Sequence, residues 1–99
     1  MRIRGEVFWK WADPTLHHRT YDETLEDGTL IDVQVRLSRT GHTQMFLGVY
    51  APGGQSLHEE AFDALPGTTM TRALATGVLR ARHVANHEAP VADSATDLG

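Results

Sequence analysis

The chain has 99 residues, a net charge of −4 at pH 7 and no cysteine. Its length fits one domain with a modest core, and the lack of cysteine excludes disulfides and thiolate-bound metal. The acidic balance argues against broad electrostatic capture of nucleic acid, and the N-terminal residues contain no apolar run of the kind found in a signal peptide or membrane span.

Residues 2–11 open the chain with alternating side chains. One side of the alternation carries the apolar residues Ile3, Val7, Trp9 and Trp11. A period of two residues predicts a β-strand. Asp13-Pro14 would end this strand, because proline interrupts regular structure.

Residues 17–25 fit either a strand or a short helix. We favour a strand, because the turn sequence at residues 26–29 leads directly into a second, clearer strand. That second strand spans residues 30–39, and its alternate apolar residues on one face are Ile31, Val33, Val35 and Leu37.

Residues 44–51 are apolar on both faces of the predicted strand. Met45, Leu47 and Val49 share one face, while Phe46 and Tyr50 share the other. This pattern is typical of a central strand that is covered on both sides. Residues 56–62 alternate weakly and are predicted to form an edge strand.

Residues 68–87 form an amphipathic helix by their periodicity. Its apolar arc contains a stripe of small residues, Ala73, Gly77 and Ala81. The polar arc carries arginines and histidines and is interrupted by one large apolar residue, Leu79. Residues 89–99 have no periodicity, so we expect a single domain over residues 1–88 followed by a disordered C-terminal tail.

The predicted fold is α+β, with a four- or five-stranded antiparallel meander and one long C-terminal helix on one face. One helix covers one face of a sheet, so the other face should remain open. If Met45 and its neighbours face the helix, then Phe46 and Tyr50 lie on the open face, together with Phe8. In the reverse register, Met45, Leu47 and Val49 are exposed. Either arrangement predicts an apolar interaction surface.

Two pairs of titratable residues are candidates for metal binding or acid–base catalysis. His83 and His87 are four residues apart on one helix, a spacing that suits two metal ligands. The residue after His83 is valine, not the glutamate of a metalloprotease motif, and no third ligand is evident, so we expect no bound metal. His58 and Glu60 share a strand face, but polar residues on an edge strand also prevent edge-to-edge aggregation. The sequence has no catalytic motif, and we expect no cofactor and no enzymatic activity.

The polar arc of the helix is a second candidate surface. It combines an exposed leucine with cationic side chains suited to an acidic partner, and its residues are Arg72, Leu79, Arg80, His83 and His87. An alternative function follows from the same arc, in which Arg72, Arg80 and Arg82 contact nucleic acid.

The leading hypothesis is a small cytoplasmic, bacterial protein without catalytic activity that acts through protein contacts. We expect it to form a homodimer through the open sheet face, with Phe46 and Tyr50 as anchors. The alternatives are a nucleic-acid-associated module and a small enzyme or metal protein that uses His83 and His87. No membrane association is expected.

Overall fold

The computed structural model describes residues 3–16 and 18–88, and for residues 87 and 88 it defines the backbone alone. The elements in chain order are helix α1 (Glu6–Trp11), strands β1 (His18–Thr24), β2 (Leu30–Leu37), β3 (Thr43–Tyr50) and β4 (Ser56–Phe62), and helix α2 (Met70–Glu88). The tail predicted at residues 89–99 lies outside the described part of the chain. Neither described helix combines the length and apolar character needed to cross a membrane.

The four strands form one antiparallel sheet in the order β1-β2-β3-β4, and α2 packs against it. This confirms the predicted α+β class and the meander, with four strands. The strand preferred at residues 17–25 is confirmed as β1. The turns that join β1 to β2 and β2 to β3 each depend on a glycine, because Gly28 (φ 90°) and Gly41 (φ 86°) lie in the left-handed region that other residues rarely adopt.

The core between α2 and the sheet shows which face of β3 meets the helix. Met45, Leu47 and Val49 belong to the cluster of buried residues that contains α2 side chains. Gly77 lets α2 approach closely, because a Cβ atom at this position would lie 2.7 Å from Val33 Cγ1. The helix lies over β2 and β3 and touches β1 along one side.

The strand predicted at residues 2–11 is wrong, because residues Glu6–Trp11 form helix α1. Phe8 and Trp11 are three residues apart and therefore share one side of this helix, where both contact Phe46. The ring centroids are 5.2 Å apart for Phe8 and 5.7 Å for Trp11. Trp9 lies on the other side and is 66% exposed. Six residues are too few for a helical period to stand out against an alternating pattern.

The prediction of an open second sheet face is also wrong. Helix α1 and the segment before it cover this face over β3 and β4. Phe46 and Tyr50 are both 0% exposed. They do lie on the face opposite α2, as expected, but they are core residues of a second, smaller layer. They therefore cannot serve as surface anchors while α1 is in place.

Candidate interaction surface at the edge strand

A polar network fixes the N-terminal segment over the second sheet face. Arg4 forms an ion pair with Asp32, whose side chain is fully buried, and also donates to the Tyr50 hydroxyl at 3.3 Å. The Tyr50 hydroxyl in turn donates to Glu59 Oε2 at 2.8 Å. Glu59 also accepts the backbone N–H of Gly5 at 2.9 Å, so one carboxylate joins β4, β3 and the N-terminal segment. The network has a structural role, because it satisfies buried polar groups.

Burial sets the protonation behaviour of this network. Desolvation raises the pKa of Tyr50, and its hydrogen bond to Glu59 acts in the same direction. Desolvation also raises the pKa of Asp32, more than the hydrogen bond and charge of Arg4 lower it. The neighbouring carboxyl of Asp22, which lies opposite Asp32 across the strand pair, contributes to the rise in pKa.

The arginines of α2 form ion pairs with the sheet. Arg80 makes a two-point contact with Glu60, with Nε–Oε1 and Nη2–Oε2 distances of 2.5 and 2.6 Å. This contact is the largest cause of the lowered pKa of Glu60. Arg82 donates to Glu23 Oε1 at 2.9 Å and to the Tyr21 hydroxyl at 3.3 Å. Two of the three arginines assigned to nucleic acid are therefore neutralised within the chain, and Arg72 remains exposed.

Of the two histidine-containing pairs considered from the sequence, the structure describes both side chains for one, His58 and Glu60. His58 Nε2 lies 3.5 Å from Glu60 Oε2, so these two residues do share a face as expected, but the carboxylate is also the partner of Arg80. His83 is exposed, and the side chain of His87 lies outside the described part of the structure. Within the described ranges, no group of three histidine, aspartate or glutamate side chains is placed to hold a metal ion.

Strand β1 is an outer strand of the sheet. The hydrogen bond from Leu25 N to Thr29 O fixes the alternation of the ladder, in which odd-numbered residues of β1 bond to β2. The even-numbered residues Thr20, Asp22 and Thr24 therefore direct their backbone N–H and C=O groups away from the sheet. All three residues are exposed, and no described strand pairs with this outer side.

An apolar groove borders β1 on the helix side of the sheet. Its volume is about 460 Å³, and its lining includes Tyr21 from β1 and Leu74, Val78 and Leu79 from α2. Arg19 and Arg82 add cationic groups to this lining. Leu79 is 66% exposed, so the large apolar side chain singled out in the polar arc belongs to the wall of this groove.

A second groove borders β1 on the opposite face. It has a volume of about 430 Å³ and lies between α1 and the first two strands. Phe8 and the exposed Trp9 supply its aromatic wall, and His18 and Gln34 supply the sheet side. One groove therefore borders β1 along Arg19 and Tyr21 on the helix side, and the other borders its first residue, His18, on the opposite face. Each groove has one large exposed apolar side chain.

The sequence predicted an interaction surface around Phe46 and Tyr50, and α1 covers these residues. The edge of β1 was missed, although its sequence carried a usable signal. Arg19 lies near the start of the strand, and Asp22 and Glu23 lie near its end, so the cationic and anionic residues occupy opposite halves. Comparisons with family models, with characterised proteins and with solved structures found no match for this chain.

Proposed function

We propose that this is a non-catalytic protein that acts through contacts with other protein chains and self-associates as a homodimer. The contact surface in this proposal is the outer edge of β1 with its two flanking grooves. The observation that carries it is the row of outward-facing backbone groups at Thr20, Asp22 and Thr24, all of them exposed residues of an outer strand. A cytoplasmic, bacterial setting is part of the proposal and rests on composition alone.

Exposed strand edges are templates for pairing with another strand, and proteins that do not use them usually protect them. Strand addition at such an edge supplies affinity through main-chain hydrogen bonds, and pockets beside the edge supply specificity. The grooves next to β1 are suited to the second role. Leu79 and Trp9 extend the contact surface onto both layers of the fold.

The competing functions have less support. Nucleic-acid binding needs cations that are available to phosphates, and Arg80 and Arg82 are already bound to Glu60 and Glu23. An acid–base site needs a pocket around the reacting groups, and the pair His58 and Glu60 lines none of the grooves described above.

Sedimentation equilibrium of the full chain tests self-association. We expect the wild type to be a dimer at high micromolar concentration. Thr20→Pro should be monomeric, because proline removes one outward-facing N–H and leaves the β1–β2 ladder intact. Thr20→Val is the matched control, since it alters the same side chain but keeps the N–H, and it should dimerise normally.

A wild type that stays monomeric at high micromolar concentration would contradict the proposal. So would a Thr20→Pro variant that dimerises as well as the wild type. Circular dichroism of each variant verifies that the sheet is retained.

A further inference from the structure

We infer that the strand that docks on β1 is β1 of a second copy, antiparallel and related by a twofold axis that passes beside Tyr21. This inference rests on the proposed function and specifies its partner and register. The two sheets would become one continuous sheet of eight strands. The axis is perpendicular to the sheet, so both α2 helices lie on the same side.

The backbone restricts the possible registers. Outward-facing groups occur at even-numbered residues, and antiparallel strands pair outward-facing residues with each other. A twofold axis beside Tyr21 meets this condition. The backbone groups of Thr20 in one copy then form a hydrogen-bonded pair with those of Asp22 in the other. Tyr21 lies opposite its own symmetry mate, and Arg19 lies opposite the second copy's Glu23.

The charges of β1 select this register among the allowed ones. Arg19 precedes Tyr21, and Asp22 and Glu23 follow it, so antiparallel pairing about Tyr21 places Arg19 opposite Glu23 of the second copy. An axis beside Asp22 would instead place two aspartates opposite each other, which is unfavourable. An axis beside Thr20 would place Arg19 opposite Tyr21, so Glu23 would no longer lie opposite the second copy's Arg19.

The two charged groups are available for this contact. Glu23 accepts hydrogen bonds from Arg82 and Tyr21 through Oε1, and Oε2 accepts none from the described residues. Arg19 is exposed, and its Nη1 donates to Thr71 Oγ1 at 3.0 Å. The remaining N–H groups of this guanidinium can bind a carboxylate of the second copy. Opposing residues that do not share backbone hydrogen bonds have the closest side chains, which favours this ion pair.

A charge-swap experiment tests the register. Arg19→Glu places four carboxylates across the interface of its homodimer, and Glu23→Arg places four guanidinium groups there. Each variant alone should dimerise about tenfold more weakly than the wild type, or worse. An equimolar mixture should form a heterodimer of near wild-type affinity, because every cross-interface pair is again of opposite charge. Native mass spectrometry distinguishes the heterodimer from either homodimer by mass.

Arg72→Glu is the control for the change in net charge. It reverses an exposed arginine on α2 that lines neither groove, so the dimer affinity should not change. The inference is overturned if Arg19→Glu dimerises like the wild type, or if the mixture forms no heterodimer. In both cases a dimer that is lost in Thr20→Pro would still support the proposed function. A monomeric wild type would overturn the two together.

Discussion

The two edges of the sheet are built differently. β1 pairs with β2 in unbroken register from His18 opposite Arg36 to Thr24 opposite Leu30. β4 pairs with β3 through a register shift at Val49 and Tyr50. Irregular pairing of this kind twists an edge and makes it a poor template for another strand.

The side chains of the two edges differ in the same sense. On β4, Glu59 accepts backbone N–H groups from the N-terminal segment and Glu60 is bound by Arg80 of α2. Both layers of the protein therefore fasten this edge. On β1, one carboxylate, that of Glu23, is held by α2, and five of the seven residues of the strand are exposed. The contrast shows that β4 is the more closed edge, which is consistent with the proposal that β1 receives the partner.

The strongest test of this contrast is Glu59→Gln. The carboxylate accepts hydrogen bonds from Gly5 N, Phe8 N and the Tyr50 hydroxyl. A glutamine amide cannot accept all three, and a buried donor left without a partner costs about 1–3 kcal/mol. We expect the free energy of unfolding, measured with urea, to fall by about 3 kcal/mol.

The matched control is Glu23→Gln on the opposite edge. Its partner Arg82 lies at the surface, so the loss should be about 0.5 kcal/mol. Equal losses for the two substitutions would mean that the edges are fastened to the same degree, contrary to the comparison.

The alternation and turn chemistry of the sequence were sufficient to predict the sheet and α2. β2 alternates along its sequence, β3 is apolar on both faces as a central strand is, and α2 spans five turns, which is long enough for a helical period to be recognised. The first helix could not be read in this way. Its pattern over Val7, Trp9 and Trp11 fits a strand as well as a helix, and the difference lies in the tertiary contact of Phe8 and Trp11 with Phe46.

The error at the first helix carried over to the candidate site. A strand at residues 2–11 provides no second helix to cover Phe46 and Tyr50, and the pattern therefore predicts that the sheet face opposite α2 is open. The ion pairs of Arg80 and Arg82 were also out of reach. They join residues 20 and 59 positions apart, and which strand faces meet α2 depends on the packed fold.

Gly77→Ala tests how closely α2 packs against β2 and β3. The added Cβ would lie 2.6 Å from Met45 Sδ and 2.7 Å from Val33 Cγ1, so either these side chains or the helix must shift. Overpacking of this kind costs about 1–3 kcal/mol, and the better helix propensity of alanine returns about 1 kcal/mol. We expect a net loss of about 1 kcal/mol in thermal or urea unfolding. A gain in stability would show that the helix is not seated as closely as the contact at Gly77 indicates.

The pH dependence of stability should have opposite signs on the two sides of the sheet. Burial raises the pKa of Asp32 in the native protein. The stability that this shift contributes is fully present below the pKa that Asp32 has in the unfolded chain, and it is lost as the pH rises through the pKa in the native protein. Arg80 lowers the pKa of Glu60 in the native protein. The stability that this shift contributes is present above the pKa that Glu60 has in the unfolded chain, and it is lost as the pH falls through the pKa in the native protein.

Urea unfolding between pH 3 and pH 7, taken as about the range in which carboxyl groups titrate, separates the two contributions. Asp32→Asn should remove the stabilisation gained on acidification, and Glu60→Gln should remove the loss at low pH. If Asp32→Asn leaves the slope of the pH profile unchanged, the burial of Asp32 does not control its titration.

The smallest effect on stability is expected for Leu79→Gln. The side chain is 66% exposed in the wall of the groove beside β1, so replacing it should change the free energy of unfolding by less than about 0.5 kcal/mol. Its effect on self-association should be larger, a weakening of a few-fold, because the groove lies within the proposed contact surface. Parallel urea unfolding and sedimentation measure the two effects separately. A loss of stability above about 1 kcal/mol would mean that Leu79 is packed within the single chain. The groove would then be closed in the monomer, and β1 would be protected on its helix side much as β4 is.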